Sequence, residues 1–172
     1  MTNIYLIGFM GCGKSTIAEH LRKAYDMQII EMDRELVERT GMTIPEIFSQ
    51  YGEEYFRDEE TKLLMECRTK NHMVVSCGGG VVLREKNVEI MKSCGKIVWL
   101  TAKPSTILER VKNDQNRPLL DGKKDILSIQ TMLEKRLPCY EKAADIMIQT
   151  DGRDVLEICQ EIIKKVKDES LC

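Results

Sequence analysis

Short apolar runs alternate with longer amphipathic segments along this chain. The runs cover residues 4–7, 27–30, 73–75, 97–100 and 146–148, and each is too short to be a helix. Because the apolar residues within a run are consecutive, we expect strands that are buried on both faces, as in parallel sheets. Strands that alternate with helices predict an α/β fold whose mainly parallel sheet is covered by helices on both faces.

The segments between the runs have helical spacing. Three of them place their apolar residues on a single helical face (Ile17, Leu21 and Ala24; Leu63, Leu64 and Cys67; Val155, Ile158, Ile162 and Val166). The segment Thr43-Ile44-Pro45-Glu46 has the pattern of a capping box with proline inside it. We therefore predict that a helix begins at this point.

Two segments interrupt the alternation of strands and helices. Residues 33–61 are charged and helical in spacing, and they contain no strand of their own. The segment from Lys112 to Asp125 is polar and basic, and long polar loops in compact domains are usually functional or disordered. No repeat or linker divides the chain, so we predict one domain, residues 1–172, with two insertions.

Composition and charge restrict the class of protein. The chain is 42% hydrophobic and 31% charged, which is typical of a globular domain. Its net charge of −2 and interleaved charges predict neither a nucleic-acid partner nor a membrane surface. The N-terminal apolar run is broken by glycines and Lys14, unlike a signal peptide or a membrane span. Seven cysteines without a Cys-x-x-Cys pair predict free thiols in a reducing cytoplasm.

Residues Gly8 to Ser15, GFMGCGKS, match the motif G-x-x-x-x-G-K-[ST] between a predicted strand and a predicted helix. The backbone N–H groups of such a loop surround phosphate oxygens. Its lysine, here Lys14, reaches the β- and γ-phosphates, and the Ser15 hydroxyl can bind Mg²⁺. A glycine turn that only joins strand to helix would need neither side chain. The motif predicts a nucleoside triphosphate site, and the lack of a guanine-reading Asn-Lys-x-Asp argues against a GTPase.

A second glycine turn, Gly78-Gly79-Gly80, follows the third predicted strand, and two acids end the second. Glu31 and Asp33 would project to the same side of an extended backbone, at the sheet edge where ligands bind. Asp33 could accept a hydroxyl proton or hold a magnesium-bound water. Equally, it could be an ordinary N-cap.

Four arginines are candidate anion ligands, and for two of them, Arg57 and Arg117, a plainer explanation competes. Arg57 has acidic residues one helical turn away, which is the pattern of a solvated ion-pair face. Arg136 lacks such an acid, so its partner should be distant or a ligand. Arg153 lies near the start of the last helix, where a cation opposes the helix dipole. Arg117 lies in the basic loop, where simple solvation competes with a role over phosphates.

Taken together, these motifs resemble the shikimate kinase family over almost the whole chain. The resemblance is carried, in order, by Gly8–Thr16, Asp33, Phe56-Arg57, Gly78–Gly80, Arg117–Leu120 and Arg136. It implies a single P-loop kinase domain with a five-stranded parallel sheet, similar to nucleoside monophosphate kinases. In this family the γ-phosphoryl group of ATP passes to the 3-hydroxyl of shikimate with Mg²⁺. Residues 33–61 would bind the acceptor and residues 112–125 would form a lid.

The resemblance also implies a role for each matching residue. Asp33 would be the base, Lys14 and Arg117 would assist catalysis, and Ser15 would hold the metal. Shikimate would be bound by Asp33, Arg57, Gly79 and Arg136. The turn Gly78–Gly80 would form the floor of its pocket. The ATP ligands would be Gly11, Cys12, Gly13, Lys14, Ser15, Thr16, Arg110, Arg117 and Arg153. Two positions differ from the family pattern: Glu31 replaces a usual Asp, and no Pro follows Arg153.

We expect the protein to be a monomer. Rival functions are a kinase of another small acceptor, such as gluconate or a nucleoside monophosphate, and a nucleotide-binding regulatory module without catalysis.

The phosphate-loop motif does not specify the residue at position 12, which is a cysteine here. A helix N-terminus and Lys14 lie close to Cys12, and both favour the thiolate form. We expect the Cys12 thiol to be alkylated quickly unless MgATP is bound. The alternative is that it points into the core and is inert.

Overall fold

The computed structural model describes residues 2–112 and 125–169, and it confirms the α/β class with a five-stranded parallel sheet. The strands are β1 (Asn3–Ile7), β2 (Gln28–Glu31), β3 (Met73–Ser76), β4 (Gly95–Thr101) and β5 (Ile146–Gln149). They lie in the order β2-β3-β1-β4-β5, and each neighbouring pair is parallel. Each strand overlaps one of the apolar runs.

Burial on both faces holds for the three inner strands and is wrong for the two edges. Every residue of β1 is buried, as expected of the central strand. On β5 burial alternates, so that Met147 is 60% exposed while its neighbours Ile146 and Ile148 are buried. An edge strand needs an apolar residue only on the face that a helix covers.

Seven α-helices cover the sheet: α1 (Lys14–Tyr25), α2 (Met32–Thr40), α3 (Ile44–Cys67), α4 (Glu85–Cys94), α5 (Pro104–Val111), α6 (Ile126–Ala143) and α7 (Val155–Glu169), counted in the described residues. Alternate residues of β1 belong to the two sides of the core. Ile4 and Leu6 pack with α1 and α7, whereas Tyr5 and Ile7 pack with α2, α3, α4 and α6. The predicted helical faces are buried except at Ala24, which is exposed, and Val155, which is partly buried.

Helix α3 begins at the predicted capping box and bends in its middle. The Thr43 hydroxyl accepts a hydrogen bond from the Glu46 N–H, and the Glu46 carboxylate accepts one from the Thr43 N–H at 2.7 Å. At Gly52 the backbone has φ 80° and ψ 170°, a conformation open almost only to glycine. The residues before this bend, together with α2, make up most of the segment 33–61.

The predicted lid lies almost entirely outside the described residues, between the ends of α5 and α6. Arg117 therefore has no structural description. In the parts of the chain that are described, no helix is both long and apolar enough to span a bilayer.

Pairing of β1 with β3 brings the two glycine turns together. Leu6 lies opposite Ser76, and the Cys77 N–H donates to the Leu6 carbonyl at 3.0 Å. Both turns therefore leave the same carboxyl edge of the sheet, where parallel α/β folds bind ligands.

Candidate active site

The loop between β1 and α1 has the geometry of a phosphate-binding loop. Gly13 caps α1 with φ 99°, a left-handed conformation that favours glycine. A side chain on Gly8 would place its Cβ 2.5 Å from the Leu100 carbonyl oxygen. The Lys14 ammonium donates to the carbonyl oxygens of Gly8 and Phe9 at 2.8 and 3.0 Å, which keeps it on the loop. The N-terminus of α1 can thus receive phosphate oxygens.

A cleft of about 740 Å³ opens in front of both glycine turns. Six predicted ATP ligands border it, namely Gly11, Gly13, Lys14, Ser15, Thr16 and Arg110. Asp33 and Gly79, two of the four predicted acceptor residues, also border it, whereas Arg57 and Arg136 lie behind the glycine turn and do not. The Arg110 guanidinium also donates to the Gly11 carbonyl at 2.9 Å, which ties α5 to the loop.

Ser15 and Glu31 form an oxygen pair suited to magnesium. The Ser15 hydroxyl donates to a Glu31 carboxylate oxygen at 2.9 Å. Mg²⁺ prefers hard oxygen ligands and usually takes only one or two from protein, the rest from phosphates and water. Within the described residues no cluster of three or more metal-binding acids, histidines or cysteines occurs. The pair therefore fits a nucleotide-bound magnesium, and Glu31, although longer than Asp, reaches Ser15.

Asp33 stands in the first turn of α2, which corrects two expectations. Strand β2 ends at Glu31, so the two acids do not share an extended backbone. Glu31, not Asp33, is the N-cap residue of α2. Asp33 instead borders the cleft, and its Oδ1 would lie 3.2 Å from a Cβ placed on Gly78.

The three consecutive glycines are explained by side chains that press against them. A Cβ on Gly78 would lie 2.5 Å from Glu60 Oε1, and one on Gly79 would lie 3.2 Å from Arg136 Nη1. A Cβ on Gly80 would collide with the Arg57 guanidinium. Each glycine thus leaves room for a charged group, and a simple strand-to-helix turn would not require all three.

Arg57 belongs to a buried set of ion pairs. Its guanidinium donates to Glu60 Oε2 at 2.7 Å and to Glu53 Oε1 at 3.0 Å, and its side chain is only 6% exposed. Of the acids one helical turn away, Glu53 and Glu60 pair with Arg57, whereas Glu54 pairs with Arg84. A solvated face is wrong for the buried Arg57–Glu60 pair, although Glu53 is 51% exposed. Glu60 Oε1 is buried and has no hydrogen-bond partner among the described residues.

The sequence analysis did not identify Glu60 as a site residue. It is fully buried beside Gly78, and burial raises the pKa of its carboxyl group to about 7. The charge of Arg57 opposes this rise, while that of Asp33 adds to it. The one available signal was its position three residues after Arg57, on the same helical face.

We expect the Glu60 carboxyl to make folding stability depend on pH. Its folded-state pKa of about 7 lies above the ordinary value of 4.5, so the native state keeps a proton that the unfolded chain releases. This stabilising contribution is complete below pH 4.5 and is lost as the pH rises to about 7. Urea unfolding at several pH values should therefore show the stability of the wild type, relative to Glu60→Gln, falling across that window.

The matched control is Glu54→Gln, which removes a highly exposed carboxyl from the same helix. It measures the effect of losing an exposed carboxyl, against which the effect of Glu60→Gln is judged. A stability difference between the wild type and Glu60→Gln that does not change across the window would contradict the assignment.

Arg136 is held in place by an aromatic ring and has unused hydrogen-bonding capacity. The residue is 7% exposed, and its Cζ lies 5.5 Å from the centroid of the Phe9 ring. Its Nη1 is buried and has no hydrogen-bond partner within residues 2–112 and 125–169. A buried donor group on a cation is costly to leave unpaired, so this atom indicates an anionic ligand.

Cys12 does not border the cleft, contrary to the expectation of an open thiol. The residue is 1% exposed and packs in the core with α1 and α7. It instead borders a separate apolar cavity of about 270 Å³. Its backbone can still face phosphate, but burial of the sulfur favours the inert alternative.

We therefore expect Cys12 to resist alkylation in the folded protein, because a buried sulfur is inaccessible to the reagent. Cys139 is partly exposed and should be modified before Cys12. Mass-spectrometric mapping after brief treatment with iodoacetamide tests this order, and urea-unfolded protein is the control, in which both thiols should react. Rapid labelling of Cys12 in the native protein would restore the original expectation.

The side chain of Arg153 is engaged away from the loop. Its guanidinium pairs with Glu161 at 2.7 Å and donates to the Gln149 carbonyl at 3.1 Å. It does not border the cleft within the described residues, so its contact with adenine stays a prediction.

Fold and site together define a class of protein. A phosphate-binding loop lies beside a second glycine turn at one cleft of a five-stranded parallel sheet, the arrangement of a P-loop kinase of small molecules. A gluconokinase from Sinorhizobium meliloti 1021 has a similar fold, with a TM-score of 0.62, at 18% identity over 99% of this chain and 96% of that one.

The family is shown by comparison with known proteins. The sequence profile of shikimate kinase matches residues 10–167. A shikimate kinase from Sulfurihydrogenibium sp. (strain YO3AOP1) is 41% identical over 167 residues, which is 97% of this chain and 99% of that protein. The structure of a shikimate kinase from Acinetobacter baumannii in complex with shikimate has a TM-score of 0.93 and 33% identity, covering 100% of this chain and 96% of that one. The chain belongs to the shikimate kinase family, as its motifs predicted.

Proposed function

We propose that this chain transfers the γ-phosphoryl group of ATP to the 3-hydroxyl of shikimate, giving ADP and shikimate 3-phosphate. One observation carries the proposal most directly. The buried Nη1 of Arg136, which has no partner among the described residues, faces a bare glycine turn that Arg57 also contacts. Two guanidinium groups beside exposed backbone suit a small, flat carboxylic acid.

The carboxylate end of the acceptor would lie between Arg57 and Arg136. Arginine forks match a planar carboxylate, and both side chains are fixed before a ligand arrives. Glu53 and Glu60 hold the guanidinium of Arg57, and Phe9 supports that of Arg136. Gly79 would admit the ring of the acceptor because no Cβ intrudes.

The hydroxyl end of the acceptor would meet Asp33. Its carboxylate would orient the 3-hydroxyl and accept the proton as the oxygen attacks the γ-phosphorus. Glu60 is buried on the same side of Gly78 as Asp33, so a second carboxyl group stands close to this end of the pocket.

The phosphates would lie against the loop. Lys14 and the N-terminus of α1 would stabilise the charge on the phosphates during transfer. Ser15 and Glu31 would hold a bound Mg²⁺, which supplies charge neutralisation between the phosphate oxygens. Arg110 ties α5 to the same loop and would lie near the nucleotide.

The deciding experiment is a coupled ADP-release assay with shikimate, gluconate and CMP as acceptors. We expect release with shikimate alone, because of the three only shikimate is a compact ring acid that carries a carboxylate at one end and hydroxyls at the other. Preference for gluconate or CMP would assign the chain to a kinase of another acceptor. ATP binding without ADP release in any arm would indicate a regulatory module.

Other parts of the prediction remain proposals. We propose one kinase domain over residues 1–172, with residues 33–61 binding the acceptor, and a monomer. A cytoplasmic location is supported by the six cysteines that are free within the described residues. The lid at residues 112–125, with Arg117, remains a prediction from the sequence.

A further inference from the structure

A hydrogen bond joins helix α6 to the glycine turn. The Tyr140 hydroxyl donates to the Gly79 carbonyl at 2.5 Å, across 61 positions of sequence. Tyr140 is 1% exposed, and burial raises the pKa of its hydroxyl, so the hydroxyl keeps its proton and remains a donor at neutral pH. The sequence analysis did not assign this residue a role.

The ring of Tyr140 is held as firmly as its hydroxyl. It stacks on Trp99 of β4, with centroids 5.7 Å apart and planes inclined by 22°. Tyr140 therefore links the sheet, through α6, to the turn that follows β3. Arg136 lies on the same helix, one turn earlier.

The contact fixes the direction of a backbone donor. The peptide between Gly79 and Gly80 is trans, so the Gly79 carbonyl and the Gly80 N–H point in opposite directions. With the carbonyl held by Tyr140, the N–H points away from α6. Within the described residues neither the Gly79 N–H nor the Gly80 N–H donates a hydrogen bond. A glycine peptide without such an anchor would turn easily, because glycine has wide conformational freedom.

We propose that Tyr140 is a positioning residue for the acceptor pocket. It sets the Gly79–Gly80 peptide, and it fixes this peptide relative to Arg136, whose Nη1 would lie 3.2 Å from a Cβ on Gly79. Gly79, which borders the cleft, and the Arg136 guanidinium beside it are then held as one rigid unit on the acceptor side. This inference rests on the proposed function, since the acceptor concerned is shikimate.

The test is Tyr140→Phe, assayed with shikimate and with MgATP as the varied substrate. We expect the KM for shikimate to rise about five- to tenfold, the effect of losing one neutral hydrogen bond, with the KM for MgATP unchanged. The matched control is Tyr5→Phe, which removes another buried hydroxyl, one that lies 3.0 Å from the Cys94 sulfur. It should lower thermal stability without changing either KM.

A double-mutant cycle with Arg136→Lys gives a second measurement. If Tyr140 acts through the pocket, the combined loss in kcat/KM for shikimate should be smaller than the product of the separate losses. An unchanged KM in Tyr140→Phe, an equal rise for both substrates, or multiplicative losses in the cycle would each overturn the proposal. If the wild type neither binds nor phosphorylates shikimate, the proposed function fails first and the role of Tyr140 falls with it.

Discussion

Replacing Asp33 by asparagine is expected to reduce turnover with shikimate by about 10²-fold or more, the usual loss when a general base is removed. Asparagine keeps the size of the side chain and its place beside Gly78, but it cannot accept the proton of the acceptor hydroxyl. Affinity for ATP should remain nearly unchanged, because the loop from Gly8 to Ser15 is intact. Steady-state kinetics and calorimetric titration with ATP measure the two quantities separately.

The control for this experiment is Glu35→Gln on the same helix. Glu35 accepts a hydrogen bond from Arg39 at 2.8 Å and does not border the cleft, so its loss should cost little activity. Near wild-type turnover in the Asp33→Asn variant would mean that the residue only stabilises the first turn of α2.

Replacing Arg136 by methionine is expected to lower kcat/KM for shikimate by about 10²-fold or more, since two charge-assisted hydrogen bonds to a carboxylate are lost. The folded protein should not become less stable, because the substitution removes a buried cation whose Nη1 has no partner among the described residues. Methionine also fills similar space against Phe9. Kinetics and thermal unfolding of the same preparation provide both measurements.

The combination of lost activity with retained stability is the informative result. Arg22→Met is the control, since Arg22 is half-exposed on α1 and pairs with Glu19, away from the cleft. It should leave kcat/KM unchanged. If Arg136→Met unfolds at a much lower temperature, the role of the arginine is structural and the acceptor pocket must lie elsewhere.

The inner architecture could be predicted from the sequence because local patterns determine it. Consecutive apolar residues predicted each strand, and the capping box at Thr43 predicted the start of α3, since these signals depend on neighbouring residues alone. The phosphate loop was equally clear, because its residues are adjacent in sequence. The burial of the edge strands β2 and β5 was mispredicted, because the exposure of an edge strand depends on which helices lie beside it.

The acceptor side was only partly predictable, because its residues are distant in sequence. The spacing of acidic residues around Arg57 predicted a solvated ion-pair face. In the fold, Glu60 and Arg57 are buried against the glycine turn instead. Asp33 could not be distinguished from an N-cap until the end of β2 was known. Tyr140 gave no local signal at all, since its partner lies 61 positions away.

The order of the strands has a consequence for exchanging parts between related kinases. Because β1 is central, the segments after β2 and β3, which carry Asp33, Arg57 and Gly79, lie on one side of it, and β4 and β5 lie on the other. Under the proposed function, a graft of residues 28–80 from another kinase would exchange these three acceptor residues as one segment. Arg136 and Tyr140, however, reach across from α6, which the segment does not include. A chimera built without α6 of the donor kinase would therefore combine the grafted acceptor residues with the original Arg136 and Tyr140.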